Sequence, residues 1–186
     1  MRRARRLQSE DRDRENLEFL EEARLRFPKE AEFQLLYATT LLAFPRDEVA
    51  GEVVRAVGLA PDDPTVLVRA AHLMLSEGEP EVARFYAKRA RELAGPNFIF
   101  EGGLANLEGL FAAFNKEYDL AEERLRLAVE VDPDFDSLAR NLARFLAARG
   151  RLNEAVEVVD QALPQAKTKH YLEALRKELI AGLAKP

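Results

Sequence analysis

The chain has no cysteine and no tryptophan, and only two histidines and two methionines. Without cysteine there is no disulfide, no thiolate metal site and no cysteine nucleophile. His72 sits in "RAAHLML" with no second ligand four residues away, so neither a zinc motif nor a proton relay forms around it or around His170. No apolar run approaches the ~20 residues of a membrane span. The opening stretch, "MRRARRLQSEDRDRE", is basic but lacks the apolar core of a signal peptide, and acids follow at once, unlike in a transit peptide. A cytoplasmic protein is expected. "GGLANLEG" has glycines but no Gly-Lys-Ser/Thr and no strand before it, so it is not a phosphate loop. The acidic pairs Asp62-Asp63 and Asp132/Asp134 fall at turns, where capping explains them. No catalytic constellation is left. The reading is a non-enzyme with no metal and no cofactor.

What is present is helical. The composition is 47% hydrophobic and 33% charged over 186 residues, enough to bury a core. Charge is uneven. Residues 137–186 hold nine Lys/Arg against five Asp/Glu, and the remainder nineteen against twenty-eight, for a net −5. A net acidic chain is a poor general binder of nucleic acid.

A period of 34 residues runs through the sequence. "NEAVEVVDQAL" (153–163) aligns with "DLAEERLRLAV" (119–129), setting Ala155 on Ala121, Val159 on Leu125 and Ala162 on Ala128. Ala83, Ala87 and Ala90 recur in the same roles, as do Val49, Val53 and Ala56 one period earlier. Between the second and third units the step is 38, an insertion of four. Each of these helices follows another amphipathic one. Phe33, Leu67, Leu104 and Ala139 take one recurring slot, and Leu36, Ala70, Leu107 and Leu142 the next. Pro28, Pro61, Pro96 and Pro133 separate units, and Pro45, Gly78 and Gly150 mark inner turns. Asp63-Pro64 is a strong helix entry, and Asp136 and Thr168 are further N-caps. No alternating strand pattern occurs.

This pattern resembles the tetratricopeptide-repeat (TPR) family, most clearly in "YDLAEERLRLAVEVDPDF" and "GRLNEAVEVVDQAL". The small slot of the first helix is departed from at Tyr37 and Glu108, and the third unit takes one extra residue in its inner turn, "NKEYD". The resemblance implies an all-α, right-handed α-solenoid of about ten helices. Its expected parts are a basic tail (1–8), a lone helix (9–29), repeats at 30–62, 63–97, 98–135 and 136–167, and a capping helix (168–186). The cap would bury Leu172, Leu175, Leu179, Ile180 and Leu183 on one face.

The resemblance further implies a scaffold or adaptor that binds another protein, with the first helices lining a concave groove. The groove residues are then Val68, Arg69, His72, Asn106, Gly109, Arg140, Asn141 and Arg144. Gly102, Ala105, Gly109, Ala112 and Ala113 would form a shallow strip admitting another backbone. The Arg and Asn members suit a carboxylate or a peptide main chain, and hence an acidic peptide or partner helix. The chaperone-tail groove pattern of the family is not matched, because Val68, His72, Ser137 and Asn141 fill its slots and only Asn106 fits. Rival readings are a self-associating structural subunit and an RNA-binding helical repeat, the latter opposed by the acidic charge. The tail arginines Arg2, Arg3, Arg5 and Arg6 are read as a frayed basic end.

Overall fold

In the computed structural model the described residues are 13–44, 48–166 and 169–183. The turn at Pro45, the N-cap at Thr168 and the arginine tail lie outside them. Among the described residues there are ten α-helices and no strand. The chain divides into two compact units between Pro96 and Asn97, where the four-residue insertion interrupts the period.

The first unit holds α1 (Asp13–Arg26), α2 (Ala31–Leu41), α3 (Val49–Leu59), α4 (Pro64–Ser76) and α5 (Pro80–Leu93). α2 with α3 and α4 with α5 are the hairpins, and α2 also packs on α4. The periodic small and branched residues Val53, Ala56, Ala83, Ala87 and Ala90 are buried where helices meet. Asp63 starts α4 as expected, accepting on Oδ1 from the Thr65 amide at 2.8 Å and the Val66 amide at 3.4 Å, with Pro64 in the first turn.

The lone helix α1 is fixed by polar contacts over an apolar base of Leu17, Leu20 and Ala23. Arg24 donates from Nη1 to Glu52 Oε1 at 2.8 Å, and its guanidinium lies 4.2 Å from the centre of the Tyr37 ring. Tyr37 donates to Glu21 Oε1 at 3.2 Å, and Asn16 Nδ2 donates to Thr40 Oγ1 at 3.0 Å. Tyr37 is the bulky occupant of a slot expected to be small. It fits because α1 lies over it.

The second unit holds α6 (Glu101–Phe114), α7 (Tyr118–Val131), α8 (Asp136–Ala148), α9 (Leu152–Ala162) and α10 (Lys169–Leu183). Hairpins α6–α7 and α8–α9 stack, and α10 packs on α9 and α8. Ala121, Leu125, Leu142, Leu146, Ala155, Val159 and Leu172 belong to one buried cluster. Two sequence expectations fail here. Asp136 is the first helical residue, not the cap; Phe135 holds the cap position and no side chain bonds there. In α10, Leu172, Leu175 and Leu179 are buried, but Ile180 and Leu183 remain 41% and 43% exposed.

The register of the third repeat is also corrected. Its inner turn, residues 115–117, is as long as that of the fourth, 149–151, so there is no extra residue. Lys116 takes the left-handed backbone at φ 66°, 34 residues before Gly150 at φ 80°. A lysine is found where Gly78 and Gly150 show the favoured choice, at a cost of roughly 1–2 kcal/mol for the left-handed region.

The stacking of α7 and α9 is tied by an arginine. Arg151 donates to Glu122 and, at 2.6 Å, to both oxygens of Glu154, while Arg126 reaches Glu122 at 2.7 Å. The Arg151 hydrogen bonds hold the Glu122 and Glu154 carboxyls below the ordinary range. A carboxyl with a lowered folded pKa stabilises the fold above its unfolded pKa, about 4.3 for Glu, and this contribution fades as pH falls through the lower folded value. The thermal midpoint should therefore drop on acidification from pH 5 to about pH 3. Arg151→Ala should show a shallower drop over that window, with a lower midpoint at neutral pH. Circular dichroism melts at stepped pH check this, and parallel curves for the two proteins would contradict it.

Candidate peptide-binding surface

The first helices of the second unit, α6, α8 and α10, pack side by side. Four of the eight expected groove residues come together in this layer. Asn141 of α8 donates from Nδ2 to Asn106 Oδ1 of α6 at 2.9 Å, fixing both amides. Asn106 is only 2% exposed, so its role is to hold Asn141. Arg140 is half-buried, with its guanidinium carbon 5.7 Å from the centre of the Tyr171 ring on α10. Its Nε is buried and has no hydrogen-bond partner among the described residues. Arg144, one turn on, is exposed.

Gly109 does not belong to this surface. A Cβ on it would lie 2.7 Å from Leu125 Cγ and 3.1 Å from the Ala121 carbonyl oxygen, both in α7. Gly109 therefore fills the small slot, 34 residues before Ala143, and Glu108 does not. Glu108 is instead half-buried, with a carboxylate oxygen 3.8 Å from Arg124. The rest of the expected strip is used in the same way. Gly102 faces the Asp132 side chain, and Ala105 and Ala112 are buried in the core clusters. The strip is internal packing, not an open shelf.

The three remaining residues lie on α4 of the first unit. Val68 is 1% exposed and presents no side chain. Arg69 is half-buried, 3.9 Å from Glu32. His72 is half-buried, and its carbonyl accepts from Ser76 Oγ at 3.0 Å.

Charge in the second unit follows the layers. α7 carries four acids and two arginines, and α9 three acids and no base. α8 carries two arginines and one acid, and α10 three bases and two acids. α8 and α10 are thus each net basic by one charge, while α7 and α9 are net acidic. Sequence reasoning missed Tyr171. Nothing in its local pattern marks it, because its partner Arg140 lies on another helix.

Among the described residues no three or more His, Asp or Glu are grouped to hold a metal, and no helix is long and apolar enough to cross a membrane. Residues 115–179 match the tetratricopeptide-repeat family. No curated protein matches the sequence. TTC0263, a thermophilic TPR protein in Thermus thermophilus, superposes with a TM-score of 0.82 over 97% of each chain at 22% identity. PilW, a type IV pilus biogenesis factor, does so at TM-score 0.69 and 19% identity, over 94% of this chain and 89% of that one. Human IFIT1, solved as a dimer with m7Gppp-AAAA, gives a TM-score of 0.74 at 15% identity over 92% of this chain and 42% of its own. These identities carry the likeness of fold alone.

Gly109→Ala should destabilise the protein, since the Ala121 carbonyl cannot move aside, and overpacking of this kind costs about 1–3 kcal/mol. A lower melting temperature is expected, with the variant retaining partner binding at temperatures where it stays folded. An unchanged melt together with lost binding would return Gly109 to the binding surface.

Proposed function

We propose that this chain, a tetratricopeptide-repeat protein in its fold throughout and in its sequence over residues 115–179, is a non-catalytic adaptor that binds an acidic peptide. The binding surface is the part of the first-helix layer formed by α8 and α10. The observation carrying this reading is Arg140: a half-buried guanidinium beside Tyr171, with a buried Nε that no described residue satisfies. A buried donor left unpaired costs about 1–3 kcal/mol. A ligand that orders Arg140 into bidentate contact recovers part of that cost.

Arg144 supplies a second cation on the same helix face, and Asn141, held by Asn106, offers an amide to a peptide main chain. Arg69 and His72 of α4 are a separate polar pair in the first unit, with Arg69 already near Glu32. They are proposed as secondary to Arg140, Asn141 and Arg144. The charge of α7 and α9 opposes an anionic ligand on the outer helices, which makes the α8/α10 side the productive one.

The test uses a partner recovered by pull-down and a peptide made from its most acidic segment. Charge-assisted hydrogen bonds contribute about 1.5–3 kcal/mol each, so Arg140→Glu with Arg144→Glu should weaken binding at least a hundredfold. Helicity should be unchanged, and raised salt should weaken the wild type more than the variant. Equal binding by both proteins, measured by titration calorimetry, would refute the surface.

A further inference from the structure

α1 is attached to its neighbours differently from the hairpins. Its buried apolar side chains are Leu17, Leu20 and Ala23 alone, and Leu25 on the same helix is 79% exposed. Polar side chains supply the rest of the contact. Asn16 and Glu21 meet Thr40 and Tyr37 of α2, and Arg24 meets Glu52 of α3. The last described helix, α10, buries Leu172, Leu175 and Leu179 and no polar residue.

The polar contact of α1 is incompletely satisfied. Six buried side-chain polar atoms have no hydrogen-bond partner among the described residues, and three of them lie in this one interface: Asn16 Oδ1, Arg24 Nε and Glu52 Oε2. At α10 the count is one, the Arg140 Nε beside Tyr171. Thr40 cannot serve Asn16 Oδ1, because its hydroxyl donates to the Leu36 carbonyl at 3.0 Å. Arg55 approaches Glu52 on the oxygen that Arg24 already holds, at 3.4 Å. Such atoms lose water when α1 docks and regain it when α1 lifts, so each favours the open state. The Arg24–Glu52 pair adds little against this, since desolvation offsets much of the attraction of a buried ion pair. A half-satisfied network is a weak attachment.

We infer that α1 is a releasable cover on α2: residues 13–27 lift as a unit while the hairpins α2–α3 and α4–α5 stay folded. The hairpins hold together through small apolar residues with nothing to gain from water, Val53, Ala56, Ala83, Ala87 and Ala90. Release bares two aromatic rings of α2 that are otherwise closed off. Phe33 loses Phe27, which stacks on it with ring centres 5.4 Å apart, and Tyr37 loses the Arg24 guanidinium. This face of α2 is thus shown by the open state and hidden by the docked one.

Hydrogen exchange of the full chain near neutral pH, read by mass spectrometry, should show residues 13–27 opening at least roughly tenfold more often than α10. α10 is the reference because end segments open readily in general. Arg24→Met leaves Glu52 buried without its cation whenever α1 is docked, so exchange in 13–27 should quicken by a further factor of about ten while α4 and α5 keep their protection. Adding Glu52→Leu removes both unpaired atoms of the pair and should return the exchange to the wild-type rate or below. Equal protection of α1 and α10 in the wild type would overturn the inference without recourse to any variant. So would a loss of protection spread evenly from α1 to α5 in Arg24→Met, or a double variant that opens as readily as the single one.

Discussion

The two helices of a hairpin can approach closely only where one of them presents almost nothing, and the rest of this structure follows from that condition. In the third hairpin the condition is met by Gly109, whose missing side chain is replaced by Leu125 and the Ala121 carbonyl. Ala143, one period later, is likewise fully buried. An interior glycine costs a helix about 1 kcal/mol against alanine, and close contact over the α6–α7 hairpin offsets it. The first hairpin breaks the rule with Tyr37, and the consequence is visible. The ring is covered by α1 and by the Arg24 guanidinium, so an extra helix does there what a small residue does elsewhere.

This explains which parts of the fold were legible in the sequence. The 34-residue period shows through Ala83, Ala87, Ala90, Ala121, Ala128 and Ala155 because close packing leaves little choice at those positions. The third repeat was harder to place. "LANLEGLFAAF" is apolar on nearly every side, so its periodicity fits two registers one residue apart. The structure selects the register through backbone geometry, with Lys116 left-handed where Gly150 is. A lysine gives no sequence signal for that conformation. The division at Pro96 and Asn97 showed only as the four-residue insertion, with no composition change to mark a boundary.

The candidate surface was half legible for a related reason. Arg140, Asn141 and Arg144 share a helix face by spacing alone, and that much survives. Spacing cannot tell an open face from one turned against a neighbour, which is why Gly109 and Val68 were placed with them. Nor can it show Tyr171, which reaches Arg140 from another helix.

The same packing that removes α6 from the surface concentrates the chemistry further along. With Gly102, Ala105, Gly109 and Ala112 consumed internally, α6 contributes only Asn106, and that amide is already bonded to Asn141. Arg140 and Arg144 lie on α8, while Glu122 of α7 and Glu154 and Asp160 of α9 are drawn into the Arg151 and Arg176 ion pairs. Those pairs tie one outer helix to the next and α9 to α10, so the outer charges contribute to stacking. Arg140 differs from the arginines that do this work. It is half-buried, it meets an aromatic ring in place of a carboxylate, and one of its donors is left over. Within this unit it is the described arginine with a buried donor left unpaired.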